Sequence, residues 1–239
     1  MVLRLRTGYF SSLLSGGGVI KLKKIYVIII FGASGPGKTT LMNQLINSSG
    51  QYSIHIKHTD RPPRQYDDVE IKCVKTFDLR DFDYVYQTYG FSYGIQKKQI
   101  HKAITENRHH FIICNDIATI KLLKRDYGSL VKAVFTFLDA PNDVMRKIHL
   151  ERQISDDEIN LRLAKTYVLH KQFVEEWPLF DGILPNHYEE DPSLLRNRME
   201  NMLARFEKKV ELESAIEHLE SVASMLATVI PPINQSPQK

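Results

Sequence analysis

The sequence predicts a three-layer α/β protein built on a parallel sheet, and three observations carry that expectation. Ile25 to Phe31 is a continuously apolar run rich in isoleucine, as a strand buried on both faces requires. Gly32-Ala33-Ser34-Gly35-Pro36-Gly37-Lys38-Thr39 follows at once. Beyond it Leu41, Leu45 and Ile46 recur at helical spacing up to Gly50, so strand, glycine-rich turn and helix come in that order.

A chain of 239 residues, 43% apolar and 25% charged, is long enough to bury one sizeable core, so one domain with tails is expected. The net charge of +4 comes from Lys and Arg spread along the chain, which predicts no nucleic-acid partner. The apolar run at Ile25 is far too short for a membrane span, and a soluble, cytoplasmic protein is expected. Cys73 and Cys114 stand in no metal-ligand spacing and read as reduced thiols. Residues 1–23 are basic and contain Ser but no acid, the first in the chain being Asp60. A disordered leader, an upstream start or an organellar transit segment all have this look, and the lack of a clear amphipathic helix favours the leader.

The turn has the spacing G-x-x-x-x-G-K-T. Glycines let successive backbone N–H groups turn inward, and the helix N-terminus adds partial positive charge, so polyphosphate oxygens are held without side chains. Gly32, Ala33, Ser34, Gly35, Pro36, Gly37, Lys38, Thr39 and Thr40 therefore form the expected binding site for a nucleoside triphosphate. Lys38 would reach the β- and γ-phosphates and the Thr39 hydroxyl would be a ligand of Mg²⁺. The competing reading is a glycine-rich structural turn.

After a short strand expected at Ser53 to Lys57 comes Thr59-Asp60-Arg61-Pro62-Pro63-Arg64. Two prolines stiffen the backbone between Arg61 and Arg64, and paired guanidinium groups on a rigid arm suit bidentate capture of a phosphate monoester. A solvated basic loop is the alternative.

Loop and arm together resemble the guanylate kinase family over about Ile25 to Leu203. The resemblance implies a P-loop fold with a small acceptor-binding insertion, a lid and a C-terminal helix, with ATP and Mg²⁺ as donor and metal. It implies that Arg61 and Arg64 hold the acceptor phosphate. Tyr89-Gly90-Phe91-Ser92-Tyr93-Gly94 is similar to the family's G-N-x-Y-G, which assigns Tyr93 to the same phosphate. Asp116, ending the strand expected at Phe111 to Asn115, is similar to an acidic position near metal and acceptor, and reads equally as a strand-ending turn residue. Ser155-x-x-Glu158 forms a capping box before a new helix. Arg152 and Arg162 flank it where the family's lid supplies catalytic arginines, and with Lys38 they form the expected catalytic set; exposed helix-surface Arg is the alternative. Asn186 matches a position near the donor adenine, in a strand whose Pro185 predicts an edge or a terminus.

Some positions depart from the family. Asp60 stands where Ser or Thr is usual, and an acid there weakens the local positive potential. The family's guanine-reading Glu falls on Tyr84, and a hydroxyl position after the Tyr-Gly pair falls on Ile95; neither reproduces the carboxylate's pairing with guanine N–H groups. The loop between Arg64 and Phe77 is short, and Glu70 is nearest to the family's aromatic phosphate ligand. That shortening, and Asn115, are similar to the ribose 1,5-bisphosphate phosphokinase branch. The acceptor is thus expected to be a nucleoside monophosphate or a sugar phosphate, with Tyr84 and Asn115 among its contacts. A non-catalytic regulatory or protein-binding module is the contrasting reading, although such modules typically have degenerate phosphate loops.

The expected organisation is a leader at 1–23, the kinase-like domain at 24–205, a C-terminal helix at 206–230 and a disordered tail at 231–239. Leu212, Ala215, Leu219, Val222, Leu226 and Val229 alternate by three and four. That stripe suits a helix packed on its own domain and also leaves room for a homodimer.

Overall fold

The protein is described by a computed structural model covering residues 24–33, 35, 37–63, 70–151 and 154–229; past Lys209 only helix backbone and Ile216 are described. Residues 1–23 and 231–239, together with Ser34, Pro36, Arg64 and Arg152, lie outside the described residues.

Strand β1 (Val27–Phe31) is followed by α1 (Lys38–Ser48), β2 (Tyr52–Ile54), β3 (Lys57–Thr59), β4 (Ile71–Cys73), β5 (Tyr84–Thr88) and β6 (Phe91–Ile95). Helix α2 (Lys97–Thr105), β7 (His109–Ile113), α3 (Ile117–Tyr127) and β8 (Val131–Asp139) come next. Helices α4 (Asn142–Glu151) and α5 (Asp156–Glu175), strand β9 (Gly182–His187) and helix α6 (Pro192–Val229) complete the chain. A parallel sheet in the order β2-β7-β1-β8-β9 forms the middle layer.

Every residue of β1 is at most 1% exposed, because alternate side chains enter opposite cores. Ile28 and Ile30 pack with Leu41, Met42 and Leu45 of α1 and with Leu195, Met199 and Leu203 of α6. Val27, Ile29 and Phe31 face Ile120 and Leu123 of α3 and Leu169 of α5. Burying one such aliphatic side chain stabilises the fold by roughly 1.5–3 kcal/mol. Strand β9 is the sheet edge that Pro185 predicts.

Three expectations are corrected. Ser53 to Lys57 is not one strand: β2 closes the parallel sheet, whereas β3 starts a second, four-stranded sheet ordered β4-β3-β6-β5. The strand expected at Phe111 to Asn115 runs instead from His109 to Ile113, since Asn115 and Asp116 turn their side chains to the backbone of neighbouring segments. The helix expected from residue 206 is the outer part of α6, continuous from Pro192. The side chains of its stripe lie outside the described residues.

A buried hydrogen-bond chain joins the two sheets where β2 gives way to β3. Gln96 N–H donates to His55 Nε2 at 3.3 Å, which leaves the His55 proton on Nδ1, 3.0 Å from His110 Nε2. His110 Nδ1 then donates to Ser53 Oγ at 2.9 Å, and that hydroxyl donates to the His109 carbonyl at 3.2 Å. Only two neutral rings satisfy this sequence of donors and acceptors. Burial, reinforced by each other's ring, Lys57 and His58, holds His55 well below its ordinary value. Burial and then Arg108 push His110 down to about 4.

A depressed folded-state value means that, on acidification, the unfolded chain takes up the proton first. Stability from His110 is thus complete above pH 6.5 and is lost as pH falls toward 4, by on the order of 3 kcal/mol. Urea unfolding at pH 7 and pH 4.5 should show this loss, and a His110→Gln variant should show a flatter profile across the same window. Equal slopes in both proteins would exclude the histidine chain as the cause.

Candidate phosphoryl-transfer site

The carboxyl ends of β1, β7, β8 and β9 gather at one edge of the parallel sheet, where ligands of open α/β sheets bind. Gly32 leaves β1 there. A Cβ on it would stand 2.1 Å from the Thr136 carbonyl oxygen, so no larger residue fits. Gly32 N–H donates to Asn115 Oδ1 at 3.0 Å, and its carbonyl accepts from Lys38 Nζ at 3.0 Å. Lys38 also donates to the Ala33 carbonyl, so its ammonium curls over the start of the loop. Gly37 caps α1 with φ of 78°, a left-handed conformation that favours glycine. Asn186 lies against it, its Nδ2 3.0 Å from where a Cβ would be. Thr40 is exposed on α1.

The lid elements meet this loop. Met145 Cε and His149 Cε1 of α4 come within 3.7 and 3.9 Å of a Cβ built on Gly35. Ser155 caps α5, accepting from Glu158 N–H at 3.4 Å as the capping box predicts. Arg162 is 8% exposed and pairs with Glu158 at 2.7 Å; it is not a solvent-exposed surface arginine.

The small sheet supplies the other wall. Thr59 stands opposite Tyr93 and Tyr93 opposite Tyr86, which places all three on one sheet face. Tyr86 and Tyr93 stack with centroids 5.4 Å apart. Arg61 is buried, its Nη1 donating to the Pro62 carbonyl at 3.0 Å. Asp60 accepts from Ser92 N–H at 2.8 Å, so its carboxylate pins the arm to β6 and does not cap the Arg61 guanidinium. Glu70, at the start of β4, reaches the loop, its Oε1 3.4 Å from Thr39 Oγ1. That contact spans the two walls.

Two expected acceptor residues have structural partners. Tyr84 OH donates to Asp126 Oδ2 at 2.8 Å, and burial followed by that bond raises the phenol. Lys97 first and Tyr84 second hold Asp126 down at about 2. Asn115 carries the Gly32 amide. Asp116 caps α3, accepting from Thr119 N–H at 2.7 Å, in line with its turn reading. Two residues stand in places their sequence reading did not give. Glu70, read only as nearest to the family's aromatic phosphate ligand, approaches Thr39 across 31 positions. Lys57 is a charged residue sharing the inward face of β3 with Thr59, and that two-residue spacing is the signal that could have found it.

Thr39 and Glu70 bring two oxygen donors together, of the hard kind that would suit Mg²⁺. Among the described residues no group of three or more His, Cys, Asp or Glu is placed to hold a metal. No helix among the described residues is long and apolar enough to cross a membrane.

A central parallel strand, a glycine loop opening a helix, and a lid over that loop define a P-loop fold of the kinase type. Comparisons narrow the class. The chain is 23% identical over 168 residues to the guanylate kinase of Rhizobium johnstonii, covering 67% of this chain and 74% of that one. It is 28% identical over 171 residues to the guanylate kinase of Nitrobacter winogradskyi, with the same coverage. The crystal structure of guanylate kinase from Anaplasma phagocytophilum matches the fold with a TM-score of 0.52, over 77% of this chain and 87% of its own, at 14% identity. No protein-family model matches. In sequence the chain is similar to guanylate kinases, and it shares their P-loop fold.

Asn115→Ala should leave the Gly32 amide without its acceptor, a cost of about 1–3 kcal/mol, and should raise the KM for ATP more than that for the acceptor. Chemical denaturation and donor-saturation kinetics check both. A selective rise in acceptor KM would return Asn115 to the acceptor side.

Proposed function

We propose that the chain transfers the γ-phosphoryl group of ATP to the phosphate of a small acceptor, in the manner of a guanylate kinase acting on a nucleoside monophosphate. The observation that carries this reading is the Thr39–Glu70 contact, which sets the phosphate loop against the sheet bearing Arg61 and Tyr93. An acceptor phosphate oxygen forms its bond to the γ-phosphorus as the bond to the β,γ-bridging oxygen breaks, and ADP leaves. Little covalent work falls to protein groups in such a transfer, so positioning and charge stabilisation dominate.

Each residue then has a physical task. Loop N–H groups and Lys38 hold the donor, with Asn186 beside the loop toward the base. Arg61, Arg64 and Tyr93 hold the acceptor phosphate. Arg162 and Arg152 complete the charge stabilisation as the lid closes, excluding water. The Thr39 hydroxyl would hold Mg²⁺, which when bound would supply charge neutralisation on the polyphosphate.

A second reading differs in the acceptor. Tyr84 is committed to Asp126 and Ile95 is fully buried, which favours a sugar phosphate over guanine.

Purified protein with Mg²⁺-ATP and a panel of GMP, dGMP, AMP, CMP, UMP and ribose 1,5-bisphosphate is expected to form ADP above background with one acceptor class. ADP at background with all of them would replace the kinase reading by that of a nucleotide-bound regulatory module. Lys38→Ala should lower turnover by on the order of 10²- to 10⁴-fold without unfolding the chain. Arg61→Ala should chiefly raise the acceptor KM. Unchanged kinetics in either variant would remove that residue from the site.

A further inference from the structure

Lys57 is a lysine set on the inward face of β3. It is 5% exposed, yet among the described residues its ammonium makes no hydrogen bond and no ion pair. Its neighbour is the ring of Tyr93, whose centroid lies 5.6 Å from Nζ. Burying an ammonium without a hydrogen-bonded partner costs several kcal/mol, so a chain retains one there for something that arrives later.

The surroundings say what could arrive. Lys57 and Thr59 alternate onto one face of β3, the face that also carries Tyr93 and Tyr86. Charged and titratable groups that act on it electrostatically are Glu70 just before β4, Arg61 from the arm and Cys114 just past β7. Burial is the largest effect on Lys57 and lowers its pKa; Glu70 and Cys114 favour its charge and Arg61 opposes it. Two cations thus converge on one wall of the acceptor site. An ammonium has three donors and no acceptor, so it cannot answer the N–H groups of guanine, whereas it matches anionic oxygen. The positions that would read a base are closed by the Tyr84–Asp126 bond and the buried Ile95.

We propose that Lys57 is a specificity-determining ligand of the acceptor, binding the second phosphate of a sugar bisphosphate while Arg61 and Tyr93 hold the phosphate that reacts. The inference rests on the phosphotransfer reading and names its acceptor class: the product carries a new diphosphate, and ADP is released. Selection is by charge, since a sugar monophosphate leaves the ammonium without its partner and a nucleoside monophosphate offers a base in its place.

Binding and stability separate this role from a structural one. Calorimetric titration of the wild-type protein should give tighter binding of ribose 1,5-bisphosphate than of ribose 5-phosphate or GMP. Lys57→Met should weaken the bisphosphate roughly 10- to 100-fold, as loss of a charge-assisted contact does, and leave ATP binding unchanged. Lys57→Arg should retain most of the affinity. In the ligand-free protein Lys57→Met should melt at the same temperature or higher, because a largely buried charge without a hydrogen-bonded partner is gone. A lower melting point, failure to fold, or unaltered bisphosphate affinity in Lys57→Met would overturn the proposal, as would a wild-type preference for GMP. Absence of turnover with every acceptor would defeat the kinase reading alone, because the binding and melting differences do not depend on chemistry.

Discussion

Burial of β1 on both faces governs the rest of the molecule. A strand enclosed in this way must satisfy its backbone along both edges, and it does so by parallel pairing with β7 on one side and β8 on the other. Parallel pairing aligns the carboxyl ends, so the loop after β1, the Cys114–Asp116 turn after β7 and the lid connection after β8 open at one edge. The loop cannot drift from that edge: Gly32 is pressed against the Thr136 carbonyl, its amide is held by Asn115 and its carbonyl by Lys38. Core packing therefore sets the position of the glycine loop.

The small sheet hangs from that core by a narrower join. Between Ile54 and Lys57 the chain leaves one sheet for the other, and what fixes the crossing is polar. His55 and His110 share a chain of hydrogen bonds with one set of neutral tautomers, and the Gln99 amide clamps both backbone groups of Ile56. Such a join specifies orientation tightly, because these directional bonds are lost if the small sheet rotates. An apolar join of equal area would tolerate sliding.

Features carried by local spacing were legible in the sequence: the buried strand, the glycine loop and its helix, the capping box at Ser155, the edge strand marked by Pro185. Features that depend on distant partners were not. Residues Ser53 to Lys57 show one stretch, and nothing in their period tells that β2 pairs with β7 while β3 pairs with β4 and β6. Asn115 meets Gly32 across 83 positions and Tyr84 meets Asp126 across 42. A polar side chain in a strand or a turn shows its chemistry in the sequence and its partner only in the fold.

Asp60 shows how much that distinction matters for the site's charge. Beside Arg61 in sequence, an acid ought to blunt the pull on an acceptor phosphate. Its carboxylate instead accepts from the Ser92 amide, so the charge is spent on holding the arm against β6. Glu70 is the carboxylate that does approach the phosphates' ground, next to Thr39 and near Lys57. Its negative charge favours the charged form of Lys57 without an ion pair between the two. Mg²⁺ taken with the donor would neutralise it, and the positive wall would then be left for the acceptor. In the proposed reaction that one carboxylate would link the donor and acceptor sides, since its two neighbours belong to opposite walls.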